Sequence, residues 1–436
     1  MNVLEIVILV LLVIPAVFIA VYHFVLGMVG LFCCRVPQSL GWQLELPLRR
    51  NNPLPMVADL LDKNSRSSRL VIHKAAEPKT RFAILIPSHN EELNIGKTLS
   101  ALQNEIDYPS DLVDIYVVAD NCSDSTAEIA KSFGVRVLER NDEVNRGKGF
   151  ALKYSFPIIF EETKCDGVLI VDADCTLDKH SLHSFDYRLQ KNPTVPLQLN
   201  YIVDNPDESA TSYLLGIANC LENEFFYIPK DKLGLFVLLR GTGMYLPRSV
   251  LERFPWEAFS IVEDTDYTLQ LLDGNISAGF VGEAKVLSAF PAEQKSLFVQ
   301  RKRWVGGTIL FSVSKSLPLI LNGLYKCQPR MIDAGITLIL LSRPLIIMQL
   351  LLTTFVTFLL VYPFHTACST AFSIASATCW GIYLFYFLCG VFRLGLNRKR
   401  LGMLLRLPFE ICSYIFLAVR SVLAGPSASW DRTPRK

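Results

Sequence analysis

The sequence predicts an α/β domain on a mostly parallel sheet, flanked by membrane-embedded helices, and three observations carry that prediction. Apolar runs of strand length alternate with helix-spaced segments from residue 81 to about 290. Two long stretches, 6–34 and 344–392, contain no Lys, Arg, Asp or Glu. Polar, acid-rich clusters sit directly behind the predicted strands, where open parallel sheets bind their ligands.

Composition agrees with a polar body between apolar ends. Of 436 residues, 51% are hydrophobic and 19% charged, against ~25% charged in ordinary soluble domains. A net charge of +2 gives no basis for nucleic-acid binding through phosphate neutralisation. The eleven cysteines lack zinc-site or disulfide-framework spacing and read as reduced thiols.

The stretch 6–34 exceeds the ~20 residues that cross a bilayer. A cleaved signal peptide is the alternative, but no Lys or Arg precedes this stretch, whereas Arg35, Arg49, Arg50, Lys63, Arg66 and Arg69 follow it. The positive-inside rule then puts the amino terminus outside and the rest of the polar chain in the cytoplasm of an integral protein of the plasma or inner membrane. Residues 36–80, rich in proline and charge, read as a linker. The body, 81–292, has strands at 81–87, 114–119, 135–138 and 167–171, with helices at 93–103, 125–133 and 149–160. Segments 293–343, including a helix at 293–311 and a segment at 317–342, read as surface-lying. The second apolar region breaks at Pro363, Phe364 and His365, giving crossings at 344–362 and 366–392. The basic loop beginning at Arg393 returns the chain to the cytoplasm. Residues 404–423 hold Arg406, Pro408, Glu410 and Arg420, costly at a bilayer centre, so an interfacial helix is preferred over a fourth crossing. Residues 425–436 form a cytosolic tail.

Five constellations carry chemistry. Asp172 and Asp174 flank Ala173 at a strand end, a spacing that lets two carboxylates share a hard divalent cation such as Mg²⁺ or Mn²⁺. Asp120 ends the second strand, where its carboxylate can take hydrogen bonds from a base or ribose. The nearby Ser123 and Asp124 equally suit a helix N-cap. Lys148, between Gly147 and Gly149, opens a helix and suits a phosphate, although the P-loop spacing is missing. Glu263 and Asp264 supply carboxylates for proton transfer. Asp266 reads as an acid matched to a helix dipole. Gln300, Arg303 and Trp304 share a helical face through their i, i+3, i+4 spacing, fit to hold a sugar by stacking; a membrane anchor is the alternative.

Taken in order, Pro87-Ser88-His89-Asn90-Glu91-Glu92, Asp120, Asp172-Ala173-Asp174, Glu263-Asp264 and Gln300-x-x-Arg303-Trp304 resemble the membrane-bound glycosyltransferases of family 2. That group includes cellulose, hyaluronan and poly-N-acetylglucosamine synthases and, more distantly, ceramide glucosyltransferase. The resemblance covers roughly residues 81–314 and implies a GT-A fold and a UDP-sugar donor. It also implies Pro87, Glu91 and Asp120 at the nucleoside, Lys148 at the diphosphate, Asp172 and Asp174 at the metal, and Asp264 beside Glu263 as base for an inverting transfer. On the acceptor side it implies Gly241, Thr242 and Gly243 together with Gln300, Arg303 and Trp304. Trp430, Arg432, Thr433 and Arg435 resemble a gating tail, the alternative being a basic tail without structure. No F-x-V-T-x-K loop is present, and three crossings are fewer than the polymerising synthases have. The leading expectation is elongation of a β-linked polysaccharide, with partner subunits or oligomers for export. Its competitor is transfer of one sugar to a lipid or lipid-linked acceptor. A nucleotide-binding transporter or scaffold is the reading from another class, and the charge-free crossings speak against it.

Overall fold

The computed structural model describes residues 3–33, 77–289, 294–341, 343–364 and 367–424. The expected linker lies almost wholly outside these residues, and the expected gating tail entirely so.

One eight-stranded sheet organises the polar body. Its strands are β1 (Phe82–Ser88), β2 (Val113–Asp120), β3 (Arg136–Arg140), β4 (Gly167–Ile170), β5 (Cys175–Leu177), β6 (Leu197–Val203), β7 (Met244–Pro247) and β8 (Gly279–Ser288). They lie in the order β3-β2-β1-β4-β7-β6-β8-β5. The β3-β2-β1-β4 half is wholly parallel. Beyond it β7 enters antiparallel to both β4 and β6, and β5 runs antiparallel to β8. The β6–β8 pair is parallel again, with a bulge between Leu199 and Asn200.

β1 is buried along its whole length, which is why its sequence is a continuous apolar run rather than an alternation. The two-residue period still divides it. Phe82, Ile84 and Ile86 pack with Ile95, Leu99 and Phe185 on one face. Ala83 and Leu85 pack with Leu152, Phe156 and Ile159 on the other. Helices Ile95–Asn104 and Ser181–Leu189 therefore cover the first face, and Lys148–Glu162 the second. The sheet order turns back at β1, so a crevice opens beyond the carboxyl ends of β1, β2 and β4.

Among the described residues, three helices are long and apolar enough to cross a membrane: Leu11–Cys33, Gly307–Tyr325 and Thr370–Leu394. Ile346–Leu359 meets the same criterion together with Pro329–Leu341, across a 79° bend. The helix expected at 293–311 runs unbroken over Gln294–Tyr325, passing through Pro318. It then folds back as Pro329–Leu341, with Gly323 against Ile332 and Gly335 against Ser316 and Ile320. Composition alone would let Gly307–Tyr325 cross, but its start is pinned to the polar body. Gly307 lies against Ile261 and Val262, and the Lys315 charge faces Asp266. The returning helix is pinned as well, Arg330 Nε donating to the Gly234 carbonyl at 3.0 Å. The hairpin therefore packs along the polar body at both of these points.

The amino-terminal helix Ile14–Cys33 docks on the body directly. A side chain at Gly30 would meet the Glu224 carbonyl at 2.9 Å, and one at Gly27 would meet Tyr386 at 3.2 Å. Both glycines thus permit an approach closer than any larger residue allows. Their partner Glu224 belongs to a π-helical turn, Asn223–Tyr227.

Candidate active site

Each carboxylate singled out in the sequence lies at a strand end or a helix start on the crevice side. Asp120 closes β2 at 1% exposure. Its Oδ1 takes Arg140 Nη1 at 2.5 Å and Asn121 Nδ2 at 3.1 Å. Its Oδ2 is buried and has no hydrogen-bond partner among the described residues. A buried carboxylate oxygen left open is costly unless a ligand donor fills it. The His89 ring nitrogen Nδ1 lies 2.7 Å from the Asp120 carbonyl, which makes that nitrogen the donor. Glu91 sits across the same crevice, its N–H donating to Thr126 Oγ1 at 2.8 Å and its Oε2 accepting from Asn94 at 2.7 Å. Pro87 pairs in β1 opposite Val118. Asp124 takes the N–H of Thr126 at 3.0 Å, a local turn just ahead of the helix Thr126–Ser132, whose N-cap is Ser125 rather than Ser123 or Asp124.

Lys148 sits where three other segments meet. Its Nζ donates to Asp172 Oδ1 at 2.5 Å and to the Gly241 carbonyl at 2.8 Å, and lies 4.0 Å from Glu263 Oε1. Burial opposes its charge, yet Asp172, Glu263 and Asp264 hold its pKa above the usual lysine value. A side chain at Gly241 would come within 3.1 Å of Asp264 Oδ2 and 3.5 Å of Lys148 Nζ. Gly241 and Gly243 have φ of +76° and +63°, a region open to glycine at little cost. Thr242 between them accepts the Asp172 N–H on its hydroxyl at 3.1 Å. Gly241 to Gly243 is thus a tight loop joining the strand-end acids to Asp264.

Glu263 and Asp264 start the helix Glu263–Asp273, which carries three acids in its first turn. Asp264 Oδ1 takes the Thr265 N–H at 2.6 Å. Burial, then the adjacent Asp264 charge, push Glu263 up to about 7 against the pull of Lys148. Burial raises Asp264 as well, opposed by the Thr265 N–H and by Lys148.

Asp172, Asp174 and Cys175 bring one donor atom each within 4.8 Å of one another. The thiol is buried, and burial pushes its pKa well up, so it stays protonated and points at Asp174 Oδ1 at 3.5 Å. The two carboxylates fit a hard divalent cation, and the thiol orients one of them.

Gln300, Arg303 and Trp304 lie on the helix Gln294–Tyr325, but their side chains are not among those described. Trp430, Arg432, Thr433 and Arg435 are outside the described residues.

Several groups here escaped the sequence reading. Arg140 ends β3 beside Asp120, the same strand-end signal that marked the acids. Arg240, just before the glycine loop, pairs with Glu222 at 3.2 Å and donates to Asn223 Oδ1 at 2.6 Å. Glu222 also accepts from Arg343 at 2.5 Å. These pairs join segments far apart in the chain, so no local pattern announces them.

The model of a family described as "Glycosyltransferase like family 2" matches residues 78–307. The "Probable glycosyltransferase YdaM" of Bacillus subtilis is 26% identical over 235 residues, covering 52% of this chain and 55% of that protein. A "Beta-monoglucosyldiacylglycerol synthase" of Trichormus variabilis is 29% identical over 237 residues, 52% of this chain and 48% of the relative. The "Cellulose synthase 1 catalytic subunit [UDP-forming]" of Komagataeibacter xylinus is 25% identical over 248 residues, 55% of this chain and 32% of the relative. The chain spans about half the length of the first two of these relatives. Among solved structures, the mannosyltransferase PcManGT of Pyrobaculum calidifontis, with GDP-Man and Mn²⁺, aligns at TM-score 0.47 and 17% identity. That alignment covers 80% of this chain and 89% of that one.

Proposed function

This chain belongs to glycosyltransferase family 2, and from that membership we propose that it moves one sugar from a UDP-sugar to a lipid or lipid-linked acceptor at the membrane surface, with inversion. The observation that carries the reading is the convergence on Lys148 and Gly241 of Asp172, Glu263 and Asp264, acids up to 92 residues apart by number, 172 to 264. In this reading the open Oδ2 of Asp120 accepts an N–H or O–H from the nucleoside, with Pro87 and Glu91 on the same rim. Lys148 turns from Asp172 to the diphosphate. Asp172 and Asp174 would hold a Mg²⁺ or Mn²⁺, which when bound would supply positive charge against the departing diphosphate. Asp264 takes the acceptor hydroxyl's proton as the new C1–O bond forms and the C1–O bond to the diphosphate breaks. The electron pair of the broken bond leaves with the nucleoside diphosphate. Attack from the face opposite the leaving group inverts the anomeric carbon. Gly241, Thr242 and Gly243 line the acceptor side, to which Gln300, Arg303 and Trp304 are assigned.

The lipid acceptor is favoured over a growing polysaccharide by the packing behind that side. His23 of the amino-terminal helix sits against Tyr386, Tyr383 and Phe226, with ring centroids 5.1, 5.5 and 6.1 Å away. These rings pack the amino-terminal helix against the helix Ala367–Leu394 and the π-helical turn of the body, an arrangement that suits an acceptor arriving along the lipid surface. In this orientation the catalytic body is cytoplasmic and the amino terminus outside.

The test incubates purified protein with labelled UDP-glucose, UDP-galactose, UDP-GlcNAc and UDP-glucuronate, with Mg²⁺ or Mn²⁺ and membrane lipid. UDP release and product size are read together. A single organic-soluble product is expected. A ladder of long chains overturns the lipid reading, and no UDP release with any donor overturns the donor assignment.

A further inference from the structure

Arg140 closes β3 and belongs to none of the motifs above. The parallel register sets its Cα directly beside that of Asp120. Its side chain is only 8% exposed, and a buried guanidinium must find acceptors for its fixed fork of donors. Those acceptors span two parts of one crevice. Nη1 donates to Asp120 Oδ1, while Nη2 donates to Asp142 Oδ2 at 2.8 Å and to the Asn145 carbonyl at 2.7 Å. The Arg140 carbonyl accepts the Asn121 N–H at 2.7 Å.

Asp142 continues the chain of contacts. Its Oδ1 takes the N–H groups of Val144 at 3.0 Å and Asn145 at 2.9 Å, and its own N–H donates to Asn121 Oδ1 at 2.9 Å. The loop 141–147 is therefore tied through Asp142 and Asn145 to one guanidinium. That loop leads straight into Gly147, at φ +124°, and Lys148. At the other end, with Oδ1 of Asp120 taken by Arg140 and Asn121, the carboxylate cannot turn freely. The oxygen left without a partner, Oδ2, points in one fixed direction.

We propose that Arg140 is the positioning residue of the donor site, locking Asp120 so that Oδ2 meets the nucleoside and tying that end to the loop that delivers Lys148 to the diphosphate. The inference rests on the nucleotide-sugar reading above. Arg140 touches no reacting atom, so its removal shows in donor affinity rather than in the chemical step.

The experiment uses the full chain in lipid nanodiscs with UDP as the probe. It measures UDP affinity by calorimetry, donor KM and kcat, and amide exchange across residues 141–147. Three variants are compared with the parent. Arg140→Met keeps the apolar stem and loses every donor. It is expected to weaken UDP binding and raise donor KM by about tenfold or more, the scale of losing a charge-assisted contact. kcat should stay within roughly threefold. Its 141–147 amides should exchange faster and no longer slow when UDP is added. Arg140→Lys offers one charge without the fork, and should recover part of the affinity but not the loop protection. Asp142→Ala leaves the Arg140–Asp120 pair intact and serves where Arg140→Met fails to fold; it should speed loop exchange and weaken UDP by a smaller factor. Unchanged UDP affinity in Arg140→Met, or in Asp142→Ala despite a loosened loop, overturns the proposal whatever happens to the melting temperature. Failure of the parent chain to bind UDP is a separate result, and it brings down the donor assignment instead.

Discussion

At the scale of single residues, the two neighbouring acids Glu263 and Asp264 divide into different roles through their surroundings. Asp264 lies beside the glycine loop and the lysine, whereas Glu263 faces Lys148 from 4.0 Å. If Asp264 takes the acceptor's proton, Asp264→Asn should cut kcat by roughly 10²–10⁴. UDP affinity should change little, because no nucleotide contact is lost. Full transfer activity in that variant would mean another base. Glu263 makes a thermodynamic prediction of its own. Burial and Asp264 push it up to about 7, from an ordinary 4.5. The folded state thus holds a proton that the unfolded chain releases, so stability falls as pH rises from about 4.5 through 7. Above that window the full cost, on the order of 3–4 kcal/mol, is in place. Glu263→Gln cannot ionise. Its melting temperature relative to the parent should therefore climb between pH 5 and pH 8, and an equal difference at both pH values would contradict the shift.

At the scale of elements, the clearest reading came where each strand ended in its own chemistry. β1, β2 and β4 are apolar runs stopped by polar clusters, and β3 is a half-exposed strand between two helices. The antiparallel part was not legible. β5 has three residues and β7 four, too short for any period to show. The helix expected at 293–311 continues to Tyr325, because tertiary packing carries it through Lys315 and Pro318. In the site, the acids were legible because each stands behind a strand or opens a helix. Arg140 and Arg240 were not, since their roles depend on strand register and on pairings 17 to 20 residues off in number, and Cys175 was not, since only its burial beside Asp174 sets it apart from the other cysteines. The glycine loop offers a test at this scale. Gly241 has φ +76°, and a methyl there would lie 3.1 Å from Asp264 Oδ2, close enough to displace that carboxylate slightly. A left-handed conformation costs an L-residue roughly 1–2 kcal/mol, far less than the fold holds in reserve. Gly241→Ala should therefore leave a folded protein whose kcat drops by about tenfold, as ~1.4 kcal/mol per decade implies. Retained kcat would show that the loop does not set the position of Asp264.

At the scale of the whole molecule, the catalytic body is joined to its membrane helices by buried charge as well as by glycine contacts. Lys230 is fully buried, and burial lowers its pKa to about 8 even with Asp333 beside it. Its Nζ lies 3.0 Å from Asp333 Oδ2 and also donates to Thr337. The same carboxylate accepts the Phe236 N–H at 2.7 Å and the Tyr22 hydroxyl. One aspartate thereby binds together the body, the returning helix Pro329–Leu341 and the amino-terminal membrane helix. Removing one partner of such a pair strands the other, at a cost of about 3–5 kcal/mol, whereas replacing both with apolar groups is often neutral. Asp333→Ala should lower the apparent melting temperature in nanodiscs well below that of the pair Lys230→Met with Asp333→Leu. The functional consequence follows from where the proposed donor site lies. Asp120, Lys148, Asp172 and Asp174 all belong to the body, so slow release of UDP by donor hydrolysis should survive in Asp333→Ala. Transfer to an acceptor held in the lipid needs body and membrane helices in register, and should fall by a larger factor. Equal losses of hydrolysis and transfer would show that Asp333 supports only the stability of the body and does nothing to hold it against the bilayer.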